Sequence, residues 1–256
     1  MIKRTIPETT DSHSLTYRAM KSYLAPPSGC PLPPAQAERL WRIDEKNRIP
    51  VPERLAFLLS SFDLATAVES PDVSLIRPRL TAILLIALAR AKEKAEQLIT
   101  EMNLGPEGEE IIKRLSDIHW DCEEKISVKH NFEGQDVLLE NEVETLLSSG
   151  GGMKGLETHF PVCRKKTLGV DESAGVLSAL CLIHQARKKA GRNALIYGVT
   201  TDSYEWTFYH ISNGSYYSEL VLRWKDGEQD KVFGLLCHIL INAVISTLMG
   251  SFACQQ

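Results

Sequence analysis

Cys163 and Lys165 lie two residues apart in the segment LETHFPVCRKKTL, residues 156–168. The segment is predicted to be a strand, so these two side chains would point from the same strand face. A carboxylate and a lysine at this spacing can hold a divalent cation and steady the water that the cation activates. Here the residue two places before the lysine is a cysteine, and a thiolate is a soft ligand that binds Mg²⁺ poorly. The strand therefore carries only half of a pattern suited to metal-assisted hydrolysis.

Two groups of basic residues are candidates for binding a phosphate backbone. One group ends a helix predicted over residues 171–191 and comprises Arg187, Lys188, Lys189 and Arg192. The other follows Cys163 directly and comprises Arg164, Lys165 and Lys166. Basic residues are also favoured at the end of a helix by the helix dipole, without any ligand. The sequence leaves both interpretations of the basic residues open.

Two further patterns do not indicate a cofactor. Cys181 and His184 have a metal-like spacing on the predicted helix, but no second pair of ligands lies nearby in the sequence, which argues against zinc. The run GGGMKG, residues 150–155, lacks the spacing of a phosphate-binding P-loop and is predicted to be a hairpin turn.

The composition is that of a globular protein, with 43% hydrophobic and 24% charged residues in 256. A net charge of -4 argues against a general DNA-coating protein, although it leaves room for a local basic groove. The six cysteines contain no CxxC pair, and the N-terminal residues lack a secretory hydrophobic segment. We therefore expect reduced thiols, no membrane anchor, and an intracellular location, nuclear or cytoplasmic.

The first half of the chain divides into an arm and a helical segment. Most of the twelve prolines lie at or before Pro52, so residues 1–50 are predicted to form a Pro-rich extended arm, held to the body by Leu40, Trp41 and Ile43. Residues 51–105 are predicted to be a helical extension because apolar residues recur at helical spacing. Its helices are expected over residues 50–70 and 77–105.

From residue 106 the predicted elements form an α/β core that extends to residue 256. The period changes from helical to alternating near residue 125, and the clearest local signal is a hairpin over residues 205–224 with Asn213-Gly214 in its turn. Helices are predicted over residues 106–125, 171–191 and 230–250. Strands are predicted over residues 125–134, 156–168 and 193–202 and in the hairpin, and residues 136–149 are predicted to form a strand or a bent pair of strands. The predicted fold class is α/β, a mixed central sheet flanked by helices.

This order of elements resembles the restriction-endonuclease-like core of PD-(D/E)xK nucleases, which runs helix, strand, strand, strand, helix, strand. Residues 106–250 are similar to the PD-(D/E)xK nuclease-like domains of uncharacterised fungal proteins. Three stretches carry the likeness: GQDVLL (134–139), LETHFPVCRKK (156–166) and IHQARKKAGRNALIYGVTTDSYEWTFYHI (183–211). The last stretch is the most specific, and it concerns the fold rather than catalysis.

The resemblance implies a site that would bind Mg²⁺ or Mn²⁺ and cleave phosphodiesters. Asp136 would be the first metal-binding aspartate, and Lys165 would be the catalytic lysine. Cys163 takes the place of the second acid. We assign its role to Glu172, at the start of the next helix. Asp171, Glu123 or Glu124 could also approach the site. Nucleic-acid-binding residues would then be Arg164, Lys166, Gln185, Arg187 and Lys188.

Three functions follow as hypotheses. The first is a catalytically degenerate nuclease-like domain, a pseudo-nuclease, that binds a protein or nucleic-acid partner and needs no cofactor. The second is an active Mg²⁺- or Mn²⁺-dependent nuclease with a relocated acid that uses Asp136, Glu172 and Lys165. The third is an assembly module in which the Pro-rich arm and the helical extension contact a protein partner.

Overall fold

A computed structural model describes residues 32–45, 48–66, 73–132, 135–149, 160–164 and 173–253. The helices within these residues are α1 (Pro34–Trp41), α2 (Glu53–Ala65), α3 (Val73–Glu101), α4 (Pro106–Lys113), α5 (Ser173–Lys189) and α6 (Gln229–Ala253). The strands are β1 (Ile118–Phe132), β2 (Gln135–Ser149), β3 (Phe160–Arg164), β4 (Ile196–Thr201), β5 (Glu205–Ile211) and β6 (Tyr217–Arg223). Two short 3-10 segments, Arg114–Asp117 and Trp224–Asp226, precede β1 and α6.

The described strands form one mixed sheet of six strands in the order β1-β2-β3-β4-β5-β6. Only β3 and β4 run parallel to each other, and the other neighbouring pairs are antiparallel. A parallel pair requires a crossover connection, and α5 lies in that connection. The predicted α/β class with a mixed sheet flanked by helices is confirmed.

Helices cover both faces of the sheet. On one face, α5 packs Val176 and Leu180 against a cluster that includes Tyr209 and Ile211. On the other face α3 and α6 share a larger cluster with Phe160 and with residues of β4 and β5. The helices of residues 51–105 therefore belong to the same packed core as the sheet, because burying their apolar faces against it removes those side chains from water.

Gly198 lets α5 approach the sheet closely. A Cβ at this position of β4 would lie 3.0 Å from side-chain atoms of both Leu180 and Val176. Because Gly198 has no side chain, α5 can pack closer to β4 than it could against a larger residue.

The prediction of a helix over residues 106–125 is wrong for the second half of that range. The helix begins as expected at Pro106, but it ends at Lys113, and β1 has already started at Ile118. Pairing with β2 and burial of Ile118 favour a strand over a helix at residues 118–125. The indole N–H of Trp120 also donates to the carbonyl of Leu84 at 3.1 Å. Tertiary contacts have overridden the local helical pattern.

Within the predicted extended arm, the described residues Pro34–Trp41 form helix α1. Pro34 stands in the first turn of α1, where its missing N–H is no loss. Trp41 and Ile43 pack against the core as expected, and the Trp41 indole N–H donates to Ser218 Oγ at 2.8 Å. Residues 1–31, and the turn predicted at 150–155, lie outside the described residues.

The predictions for the second half of the chain hold well. The hairpin of residues 205–224 is confirmed as β5 and β6, and residues 136–149 form one continuous strand, β2. The strand predicted over residues 156–168 is described only at Phe160–Arg164, and the remainder lies outside the described residues. The last helix runs slightly beyond its predicted bounds, from Gln229 to Ala253.

Candidate functional site

The carboxyl end of β3 carries the residues that the sequence singled out. Cys163 is paired with Thr200 of β4, and Arg164 is paired with Thr201. On the other side β2 runs antiparallel to β3, with Thr145 opposite Val162. Continuing that register places Glu144 beside Cys163. The backbone of an acidic residue therefore lies next to that of the cysteine, on the neighbouring strand rather than on β3 itself, while the Cys163 side chain packs against the cluster beneath α5.

Glu144 is held by two arginines. Its carboxylate lies 2.9 Å from Arg164 Nε and 3.8 Å from Arg77 Nε, and Arg77 in turn contacts Glu123 at 2.8 Å. The Glu144 and Arg164 side chains are only 13% and 17% exposed, so their charges interact with little screening by solvent. We call these four residues, Arg77, Glu123, Glu144 and Arg164, the β2–β3 charge cluster.

The charge cluster depends on an irregular backbone. The β1–β2 register passes from Cys122 opposite Thr145 to Glu124 opposite Val143, so Glu123 and Glu144 lie at the same level between these pairs. Glu123 has a φ of 57°, in the left-handed region that non-glycine residues rarely adopt. On β2, Val143 and Leu146 join the cluster beneath α5, whereas Glu144 contacts Arg77 of α3 on the opposite face. The regular alternation of β2 is therefore broken between Glu144 and Leu146, and this break turns Glu144 towards Arg77.

Asp136 lies far along the strand from this cluster. Its backbone pairs with Asn131 near the tip of the β1–β2 hairpin, eight residues before Glu144. At about 3.3 Å per residue, that separation is about 26 Å along the strand. The structure thus does not bring the backbone of Asp136 next to Cys163, and its proposed role as a metal ligand stays a prediction.

Several predicted site residues fall outside the described part of the chain. They are Lys165, Lys166, Asp171 and Glu172. Of the other acids that could have approached Cys163, Glu123 does lie in the charge cluster, through its contact with Arg77. The catalytic roles assigned to Lys165 and Glu172 stay predictions.

The basic end of α5 lies at the opposite end of the sheet from Arg164. Because α5 joins two parallel strands, it runs back along the sheet. Arg187 Nη1 donates to the carbonyl of Leu195, just before β4 begins, whereas Arg164 pairs with the last residue of β4. Arg164 therefore does not form one continuous face with Arg187 and Lys188.

The α5 candidates differ in their surroundings. Arg187 is buried, and burial lowers the pKa of its guanidinium to about 10, with the charge of Arg192 acting in the same direction. Lys188 is exposed and Gln185 is half-buried, so both are accessible to a ligand. Arg187 has a packing role that the basic pattern of the sequence did not indicate.

Sequence reasoning missed Arg77 and Glu144. Glu144 is a charged residue within a strand whose neighbours Val143, Leu146 and Leu147 are buried, and that pattern is a usable signal. Arg77 gives no such signal, because it lies in a different element and only the fold brings α3 to the end of β3.

Within the described residues, no group of three or more His, Cys, Asp or Glu side chains is arranged to hold a metal ion. None of the described helices combines the length and apolar character needed to cross a membrane. The chain matches no model of a known protein family, and no curated protein is similar to it in sequence.

Proposed function

We propose that this chain is a nuclease-like α/β domain of the restriction-endonuclease type that has lost catalysis and binds a nucleic-acid or protein partner. The described order α4, β1, β2, β3, α5, β4 supports this fold assignment, because it repeats the helix, strand, strand, strand, helix, strand order of that core. The sheet order and the parallel pairing of β3 with β4 are compatible with it.

The observation that carries the proposal is the pairing of Glu144 with Arg164 and Arg77. A carboxylate that binds a hard cation must offer its oxygens to the metal. Glu144 is the described acid whose backbone lies beside Cys163, its side chain is turned to the opposite face of the sheet, and its charge is already compensated by two guanidinium groups. A metal ion at this point would have to displace Arg164 and would meet the positive charge of Arg77.

The alternative is an active Mg²⁺- or Mn²⁺-dependent nuclease with a relocated acid. The observation that favours it is that carboxylates do approach the end of β3, namely Glu144 and Glu123. In that case Lys165 would remain essential, and Glu172 or Glu144 would replace the acid missing at position 163.

The test is cleavage of single- and double-stranded DNA and RNA with Mn²⁺ or Mg²⁺, beside Lys165→Ala, Asp136→Ala and Glu144→Gln. We expect no cleavage and no rise in the melting temperature on adding Mn²⁺. The same labelled oligonucleotides then report binding by fluorescence anisotropy at two salt concentrations. Cleavage that disappears in Lys165→Ala would instead establish the active nuclease, and the other two variants would identify the acid.

A specific observation favours a protein partner at the helical segment. Phe57 and Leu64 of α2 are 76% and 89% exposed, and Leu58 of the same helix is half exposed. Exposed apolar groups of this kind are typical of protein interaction sites. Sedimentation analysis of the purified chain, beside the double variant Phe57→Ser and Leu64→Ser, tests whether a second copy is that partner. Self-association that the double variant loses would support assembly through α2.

A further inference from the structure

Ser215 lies between a buried histidine and an exposed lysine. Its Oγ is 3.0 Å from Nε2 of His184 and 2.7 Å from Nζ of Lys188. The other ring nitrogen of His184, Nδ1, is 2.7 Å from the carbonyl oxygen of Ala194. These residues lie at the amino end of β4, away from the β2–β3 charge cluster, and of the three only Lys188 is also a predicted nucleic-acid-binding residue of the nuclease-like domain.

The hydrogen-bond partners fix where each proton lies. The Ala194 carbonyl can only accept, so Nδ1 of His184 carries the hydrogen. In the neutral imidazole Nε2 is then an acceptor, and the Ser215 hydroxyl must donate to it. Lys188 can only donate, so it donates to the lone pair of Ser215 Oγ. The serine hydroxyl thus faces a base and a cation at once, which is how a nucleophilic serine is activated.

Burial keeps the histidine neutral. His184 is fully buried, and this burial lowers the pKa of its imidazole, with the charges of Lys188 and Arg187 acting in the same direction. A neutral imidazole at pH 7 is a competent general base. Ser215 itself is half-buried and Lys188 is exposed, so the hydroxyl stands between the buried base and solvent.

The turn that carries Ser215 is firmly held. The Ser215 N–H donates to the Ser212 carbonyl at 2.9 Å, and the Ala194 N–H donates to Asn213 Oδ1 at 2.8 Å. Ser215 has a φ of 65°, a conformation that costs free energy for a residue other than glycine. The surrounding bonds maintain this conformation, and it keeps Oγ within reach of His184.

We propose that Ser215 is the nucleophile of an acyl-transfer site, with His184 as its general base and Lys188 as the group that stabilises the developing oxyanion. The substrate class is a carboxylic ester that carries a negative charge near the ester group. Lys188, Lys189 and Arg192 are exposed around the end of α5, and their positive charge favours an anionic ester over a neutral one.

The reaction needs no cofactor. Ser215 Oγ attacks the ester carbonyl while its proton passes to His184 Nε2, and the negative charge that develops on the carbonyl oxygen faces Lys188 Nζ. Collapse of the tetrahedral intermediate breaks the bond to the alcohol, which leaves with the proton from His184. Water then attacks the acyl-serine with His184 again accepting a proton, and this step releases the carboxylic acid and restores the serine.

The experiment labels the full chain with a fluorophosphonate probe, locates the adduct by peptide mass spectrometry, and measures hydrolysis of 4-nitrophenyl acetate and of anionic 4-nitrophenyl hemisuccinate. Ser215→Gly is the main variant, because glycine removes the hydroxyl and adopts a positive φ readily. Lys188→Met tests the cation at an exposed position, where the fold tolerates the change. Ser116→Ala, at an exposed serine whose Oγ donates to the Lys113 carbonyl, is the matched control.

We expect the adduct on Ser215, faster hydrolysis of the anionic ester, and a rate that falls about 100-fold or more in Ser215→Gly. Lys188→Met should lower the rate on the anionic ester more than on the neutral one, and Ser116→Ala should match the unaltered chain. Thermal unfolding of every variant shows that the fold is retained. Hydrolysis by the unaltered chain at the rate of Ser215→Gly, or labelling spread over other serines, would overturn the proposal.

Discussion

Arg164 Nε lies 2.9 Å from Glu144 Oε2, across the two adjacent strands β3 and β2. The contact is an ion pair rather than an aligned hydrogen bond, and both side chains are largely buried. A largely buried ion pair stabilises the fold only weakly, because the free-energy cost of removing both charges from water nearly equals the gain from their attraction. Removing one of the two side chains destabilises the fold more, because the charge of the other side chain then stays buried with less opposite charge nearby.

The first prediction follows from this asymmetry. Arg164→Leu should lower the free energy of unfolding by about 3 kcal/mol, since among the described residues Glu144 would then keep the more distant Arg77 alone. The double variant Arg164→Leu with Glu144→Leu should recover much of that loss, because two apolar groups need no charge partner. Urea unfolding of the unaltered chain, the two single variants Arg164→Leu and Glu144→Leu, and the double variant measures the coupling. The control is Arg90→Leu, which removes one partner of the exposed pair with Glu93 and should cost under about 1 kcal/mol.

The candidate site could be only partly predicted from the sequence. The pattern around Cys163 correctly predicted a strand at these residues, since residue types and their alternation are local information. The acid beside Cys163 could not be found in this way. Glu144 lies 19 positions from Cys163 in the sequence and reaches it only through the register of β2 against β3. Arg77 arrives from a third element, and no spacing rule connects it to either strand.

More of the fold than of the site could be predicted from the sequence, and the early end of the helix predicted over residues 106–125 has a physical cause. The hairpin of β5 and β6 is specified by Asn213-Gly214 between two alternating runs, which is a local signal. Residues 118–124 have a helical sequence pattern, yet they lie in β1, which pairs with β2. Burial of Ile118 and the hydrogen bond of the Trp120 indole stabilise this conformation. A local pattern does not determine structure where distant residues supply the stabilising contacts.

The second prediction concerns Arg79, whose side chain is fully buried beneath the turn between β4 and β5. Its Nε contacts Asp63 Oδ1 at 3.1 Å, and the same oxygen accepts a hydrogen bond of 2.7 Å from the Tyr204 hydroxyl. Asp63→Asn should lower the free energy of unfolding by about 3 kcal/mol, because the buried guanidinium loses its counter-charge. Tyr204→Phe should cost less, about 1.5–2 kcal/mol, the value of one hydrogen bond to a charged group. Denaturant unfolding checks both values, and equal losses in the two variants would contradict the charge argument.

The third prediction compares two glycines that differ in the space around them. Gly198→Ala should destabilise the protein by about 1–3 kcal/mol, because the new Cβ would lie 3.0 Å from Leu180 and Val176 and would force α5 away from the sheet. Gly108→Ala, in helix α4, meets nothing nearer than 3.4 Å and should stabilise the protein by up to about 1 kcal/mol, since alanine is the better helix former. Melting temperatures that move in opposite directions would bear this out, and a common direction would contradict it.

The fourth prediction concerns His210 on β5, which is 3% exposed and has no hydrogen-bond partner on either ring nitrogen within the described residues. The ring packs against Tyr197, with the two ring centres 4.8 Å apart, and lies beneath Trp41. Burial lowers the pKa of this imidazole to about 4, with a smaller contribution from His184. In the unfolded chain the same group titrates near its ordinary pKa of about 6.5.

The unfolded chain therefore binds a proton at a higher pH than the folded chain does. Stability contributed by neutral His210 is fully present above about pH 6.5 and is lost as the pH falls towards 4, by about 3 kcal/mol in total. His210→Phe removes the titrating group and keeps a ring in the same place, so the free energy of unfolding should fall less steeply over this range. Urea unfolding at a series of pH values measures both slopes. Phe208→Leu, a non-titrating change on the same strand, should lower stability equally at every pH, and an unaltered slope in His210→Phe would show that this histidine does not govern the acid sensitivity.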